Sequence, residues 1–152
     1  MTLYELLLFV HVLAAATWVG GAIMLKIQSD RALRTDPDRA AELALETERV
    51  GTRVLMPASI VLLVAGLWMV FEGEWGFEPL WVKLGLAIYV ISAVAGAVFL
   101  GPLYKQVGVL RAERGPGDAE LTARLQRIST LSWIDMGLLV AAIFVMTVKP
   151  GT

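Results

Sequence analysis

The sequence predicts an all-α integral membrane protein, a bundle of four spanning helices, on three observations. Hydrophobic residues make up 57 % of the chain and charged residues only 18 %, an apolar excess over ordinary soluble domains. The apolar residues fall in four continuous blocks, not in the alternation of a half-buried strand or the single stripe of a surface helix. Each block has 18 to 24 residues, enough for a helix rising about 1.5 Å per residue to cross a hydrocarbon core roughly 30 Å thick. Spanning strands would need about ten residues each with alternating polarity, and that pattern is absent. The whole of 1–152 reads as one domain with spans at 3–25, 54–71, 80–103 and 131–148.

The first block, Leu3 to Leu25, has only Met1 and Thr2 before it and no basic residue until Lys26. It therefore lacks the basic start of a secretory signal and reads as a retained helix. Between blocks one and two, Asp36-Pro37 supplies an N-cap followed by a first-turn proline, and Ala40, Leu43, Thr47, Val50 and Val54 keep helical spacing into block two. Pro57 lies inside that helix and predicts a kink. Block three carries Ala93-x-x-x-Ala97-x-x-x-Gly101, a small-residue spacing that allows close helix approach in lipid. Before block four, Arg114-Gly-Pro-Gly-Asp118 breaks the chain, Asp118 caps the next helix, and Leu121, Leu125, Ile128 and Ser132 continue one face. Helices two and four are thus predicted to extend beyond the membrane. No internal repeat is evident.

Orientation follows from the basic residues. Six lie between helices one and two (Lys26, Arg31, Arg34, Arg39, Arg49, Arg53) and five between helices three and four (Lys105, Arg111, Arg114, Arg124, Arg127), whereas the segment 72–79 has none. The positive-inside rule puts both long loops in the cytoplasm and both termini outside. Trp68, Trp75 and Trp81 are expected as anchors at the outer interface and Trp133 at the inner one. The chain has no cysteine, which excludes disulfides, thiolate metal sites and thiol redox chemistry. A redox role needs a bound cofactor.

Ionisable residues inside the spans are Glu5, His11, Lys83 and Asp135, and such residues are functional candidates by default. His11 is the only histidine and lies roughly 12 Å inside the outer end of helix one at about 1.5 Å per residue. Tyr4, His11, Ala15, Trp18 and Ala22 share one helical face, and the two alanines leave room for a flat ligand beside the imidazole. Two roles are open to it, a ligand or a neutral histidine bonded to a carbonyl or hydroxyl of a neighbouring helix. A bare zinc or copper ion needs three or four side-chain ligands, whereas haem needs one axial side chain. Lys83 opposes the positive end of its helix dipole. It either snorkels toward Glu78 or Glu5 or binds a ligand carboxylate such as a porphyrin propionate. Asp135 is expected to pair with Arg53 or Arg49, with a proton relay as the alternative.

Three stretches carry a resemblance. His11-Val-Leu-Ala-Ala-Ala-Thr-Trp18-Val-Gly-Gly21, then Glu48-Arg-Val-Gly-Thr-Arg53-Val-Leu-Met-Pro57 followed by Gly66-Leu67, and Trp81-Val-Lys83-Leu84 resemble the helices of HemJ-type protoporphyrinogen oxidases and the related CopD-like membrane domains. With Met146-Thr-Val-Lys149-Pro150, the chain looks closest to an uncharacterised bacterial integral-membrane family allied to them. The resemblance implies haem-binding and catalytic roles for His11 and Lys83. It departs after Gly21, where Ala22-Ile-Met-Leu-Lys-Ile-Gln28 replaces an aromatic stretch containing proline and histidine.

The expectation is a multi-pass protein of the bacterial inner membrane that binds b-type haem or another porphyrin for electron transfer or porphyrin oxidation. His11 would be the axial ligand of the iron, with Lys83 and Trp18 beside the cofactor. Its alternative is a non-enzymatic membrane scaffold, a homo-oligomer or a partner subunit, resting on the small-residue faces and charged helical extensions. A small transporter is less favoured, because only Pro57 breaks a helix and transporters pair their broken helices. No nucleic-acid partner is expected.

Overall fold

The computed structural model describes residues 2–73 and 75–151 and consists of four long helices, α1 (Leu3–Thr35), α2 (Pro37–Glu72), α3 (Leu80–Arg114) and α4 (Ala119–Val148). Each is long and apolar enough to cross a membrane. α1 begins at a reciprocal cap, in which the Glu5 N–H donates to the Thr2 hydroxyl at 3.2 Å and the Thr2 N–H donates to the Glu5 carboxylate at 2.7 Å. Asp36 caps α2 by accepting from the N–H groups of Asp38 and Arg39, and Asp118 caps α4 by accepting from Glu120 and Leu121. Gly115 and Gly117, both at positive φ, make the turn between α3 and α4 that a side chain would strain.

All four helices, not only the second and fourth, run on at the basic end. α1 continues to Thr35 where the apolar pattern stops at Leu25, and α3 continues to Arg114. The polar residues of these extensions have helical spacing too, so the end of a hydropathy block marks the edge of the lipid, not of the helix. The apolar faces of the extensions meet in a core formed by Ala32, Ala40, Ala41, Leu43, Ala44, Leu103, Val107, Leu110, Leu121, Leu125 and Ile128. Ala41 and Val107 are fully buried and Leu121 is 1 % exposed. Arg111 ties the rim of this core from α3, donating to Asp38 at 2.9 Å and to Glu42 at 3.2 Å on α2. The extensions expected to offer partner surfaces thus bury their apolar faces against one another.

The packing changes character toward the end that bears the termini. α1 stays against α2, α3 stays against α4, and α1 meets α4. α2 and α3 touch only through Pro37–Val50 and Gly101–Arg114. Among the described residues, no Cα of Met56–Glu72 lies within 8 Å of one in Leu80–Val94. The small-residue stripe predicted on α3 is not at a helix interface, since Ala93 and Ala97 are exposed and the buried positions of Leu80–Val94 are Trp81, Val82, Gly85 and Ser92. Spacing alone shows that a small-residue face exists but not which way the helix is turned.

The place where α2 and α3 part is marked in both backbones. Residues Gly51–Leu55 of α2 and Ala95–Leu100 of α3 form wide π-type turns, with the N–H of Met56 bonding back to Gly51 and that of Gly101 to Gly96. Each turn ends just before a proline, Pro57 or Pro102, which has no N–H to continue the regular ladder. The sequence predicts a kink at Pro57; the matching turn before Pro102 was not expected. Leu45 packs toward Gly108 and Glu42 toward Arg111. Carried along the two antiparallel helices, that register sets Gly51 level with Pro102 and Pro57 level with Gly96.

Two outcomes follow from this packing. Leu121→Ala is expected to lower unfolding stability by about 2–5 kcal/mol, read from thermal or denaturant unfolding in detergent, whereas Ala97→Leu on the exposed face is tolerated. Arg39 first and Arg111 second hold the Glu42 carboxyl below its ordinary value of 4.5. A depressed carboxylate adds stability that is complete above the unfolded value and is lost as pH falls through the folded one. Acidification below about 4.5 is therefore expected to loosen the α2–α3 rim, measured as faster amide exchange in Pro37–Val50, and Glu42→Gln should remove part of that response.

Candidate functional site

His11 faces α2. Its Nδ1 stands 2.9 Å from the carbonyl oxygen of Leu62, and because a carbonyl can only accept, Nδ1 carries the proton. In the neutral ring Nε2 is then the nitrogen with the lone pair. The approach is possible only because Gly66 lies one turn further along α2. A Cβ there would stand 2.9 Å from Cε1 and 3.0 Å from Nδ1 of the imidazole. The space beside the ring is thus made by Gly66 on the neighbouring helix, and the imidazole itself fills it. The room expected from Ala15 and Ala22 plays no part in that contact.

Tyr4 and His11 lie one heptad apart on α1 and meet Gly73, the residue that ends α2, and Gly66, seven residues before it. Gly21 continues the seam further in, where its backbone lies close to Leu55. Trp18 leaves this line. Its ring packs edge-on against Tyr89 of α3 with centroids 5.6 Å apart, so it bridges the α1/α2 pair to the α3/α4 pair. Since α1 and α3 run in the same direction, stepping back seven residues from each ring puts His11 level with Val82, beside Lys83.

Lys83 is exposed and lies 3.4 Å from Glu78. It takes the snorkelling position, toward Glu78 rather than Glu5, and no contact joins it to His11. The pair shares a level but not a hydrogen bond. Of the expected anchors, Trp68, Trp75 and Trp133 are exposed, whereas Trp81 is 7 % exposed and packs edge-on with Trp75 at 5.1 Å. Lys149 sits over both rings, 4.0 Å from the Trp75 centroid and 5.1 Å from that of Trp81, a cation–π contact that holds the end of α4 to the 2–3 connection.

Asp135 does not pair with Arg49 or Arg53. Its carboxylate accepts from the hydroxyl of Ser92 on α3, and Ser92 is 3 % exposed. The correction has a geometric cause, because Asp135 lies on the α3 side of α4 while Arg49 and Arg53 belong to α2. Toward the basic end on α4, Ser132 follows one turn from Asp135. One turn further, Lys26 pairs with Asp30, whose carboxylate also accepts from the Ser129 hydroxyl and the Trp133 indole N–H, each at 2.9 Å. Lys26 is 6 % exposed. This polar cluster joins α1 to α4 and was not legible in the chain, since Lys26 and Asp30 read there as loop residues. The only cue was their i, i+4 spacing.

Among the described residues, no group of three or more His, Cys, Asp or Glu side chains could hold a bare metal ion. The donor set instead offers one imidazole with a fixed tautomer and a free Nε2, which suits a cofactor asking for a single axial base. The fold and these groups define a polytopic membrane bundle whose buried polar residues Lys26, Ser59 and Ser92 lie within the helices. The chain belongs to a family described as "Predicted integral membrane protein (DUF2269)", whose model matches residues 5–150. No curated protein and no solved structure matches the chain.

Gly66→Ala is expected to destabilise the bundle by about 1–3 kcal/mol, because the added methyl overlaps the imidazole. His11→Ala in the same chain should recover much of that loss, read as a double-mutant cycle on unfolding in detergent. Strictly additive losses would mean that the two residues do not touch.

Proposed function

We propose that the protein binds a porphyrin, b-type haem in the first instance, in the half of the bundle that bears the termini, and serves electron transfer or porphyrin oxidation. The observation that carries this reading is the Nδ1 bond of His11 to the Leu62 carbonyl, which orients the ring and leaves Nε2 as the base. A histidine ligand held through its other nitrogen by a carbonyl is the usual arrangement around metals. Lys83, at the level of His11, would exchange Glu78 for a propionate, and Trp18 with Tyr89 would close the inner side of the site. Haem would supply the one-electron chemistry. The protein would orient the imidazole, exclude water through the apolar walls and neutralise the propionates. Placement in a bacterial inner membrane with the basic end in the cytoplasm belongs to the same reading, as does kinship with the HemJ-type and CopD-like domains.

The absorption spectrum of the detergent-purified protein tests it, recorded before and after dithionite and with added hemin. A Soret band that shifts on reduction and is lost in His11→Ala, with helicity unchanged, is the expected result. A colourless protein that leaves hemin unbound would return His11 to a structural tie between α1 and α2.

One observation favours a second reading, a small transporter. The sequence offered a single kinked helix, but α2 and α3 both carry a π-type turn, at Gly51–Leu55 before Pro57 and at Ala95–Leu100 before Pro102. π-Type turns are frequent at functional sites, and paired irregular helices recur at transport sites in membrane bundles. In that reading the parting of α2 and α3 is the path, and the buried Ser92–Asp135 bond holds α3 to α4 beside it.

A further inference from the structure

The face where α1 and α4 leave the membrane at the basic end carries a groove of about 200 Å³ lined by Ile27, Asp30, Arg31, Arg34 and Trp133. Its chemistry is graded. Arg31 and Arg34, one turn apart on α1, lie away from the lipid, while Ile27, 42 % exposed, and Trp133, 56 % exposed, stand on the membrane side. The acid within it is already engaged. Asp30 holds Lys26, the Ser129 hydroxyl and the indole N–H of Trp133. That last bond fixes the edge of the Trp133 ring, while Lys26 also lies 4.9 Å from the ring centroid. The Trp133 wall of the groove is therefore tied to α1 at two points.

The two guanidinium groups are unmatched. Among the described residues, neither Arg31 nor Arg34 has a carboxylate within 4.0 Å; Arg49, Arg53 and Arg127 share that state outside the groove, whereas Arg39, Arg111, Arg114 and Arg124 are each paired. A guanidinium fork matches the paired oxygens of a phosphate, and basic pockets between spanning helices at the interface suit anionic headgroups. The aromatic and aliphatic side of the groove, facing the hydrocarbon, suits the start of an acyl chain. A free phosphate would use only the cationic half.

We propose that this groove binds the phosphodiester of an anionic phospholipid from the leaflet at the basic end, with Arg31 and Arg34 donating to its non-bridging oxygens and Ile27 and Trp133 lying along the chain. Binding there would brace α1 against α4 outside the Lys26–Asp30 cluster. The site does not involve His11 and stands or falls separately from the porphyrin reading.

The test is native mass spectrometry of the full chain from detergent doped with equal phosphatidylglycerol and phosphatidylcholine, with Arg31→Gln/Arg34→Gln beside wild type. A second pair, Arg49→Gln/Arg127→Gln, removes two basic residues outside the groove. Helicity by circular dichroism confirms that each variant is folded. The expected result is retention of phosphatidylglycerol by wild type and the second pair, weakened about tenfold or more in the groove variant. Equal retention of the two lipids, or no loss in the groove variant, would overturn the proposal. Displacement of phosphatidylglycerol by millimolar inorganic phosphate would overturn it too, by assigning the site to the free anion.

Discussion

The core at the basic end is the contact on which the rest of the arrangement depends. Only there do all four helices bury side chains together, with Ala41 and Val107 sealed completely and Leu121 nearly so. The hydrophobic effect acts at this level because the extensions stand in water, whereas inside the lipid an apolar side chain gains little by leaving the hydrocarbon. The halves within the lipid are accordingly held by other means, close backbone approach and a small number of polar bonds. The parting of α2 and α3 is a consequence of that change of solvent along the same helices.

Each polar bond inside the membrane or at its basic edge joins a particular pair of helices. His11 to the Leu62 carbonyl joins α1 to α2, Ser92 to Asp135 joins α3 to α4, and the Lys26–Asp30–Ser129–Trp133 group joins α1 to α4. No such bond is found between α2 and α3 in the halves toward the termini among the described residues. Interhelical hydrogen bonds in lipid contribute on the order of 1 kcal/mol each, so three pairs are fastened and the fourth is not. The turns before Pro57 and Pro102 stand at the boundary between the fastened and the open part. There the backbone has lost regular partners, which lipid does not supply.

These contacts also decide what the candidate residues can do. The imidazole of His11 is oriented by a neighbouring backbone, and that same contact either structures the α1–α2 seam or presents Nε2 to a cofactor. Lys83 is held by Glu78 at the surface, so a ligand taking its charge must compete with that pair. Arg31 and Arg34 face no such competitor within salt-bridge distance among the described residues. That contrast separates a site that must reorganise from one that is already open.

The sequence by itself determined the class, the number of spans, the caps at Asp36 and Asp118, and the break between α3 and α4. Those features rest on local rules, on runs of apolar residues long enough for a bilayer and on side chains that satisfy the first N–H groups of a helix. It also singled out His11, Lys83 and Asp135, because a polar residue in an apolar run is visible without any fold. Only the tertiary structure decided their partners. Ser92 rather than Arg49 or Arg53 meets Asp135, Gly66 makes the space for His11, and the Ala93 and Ala97 stripe turns outward, because partner choice depends on how each helix is rotated about its axis. In a helix apolar on every side, no hydrophobic face records that rotation.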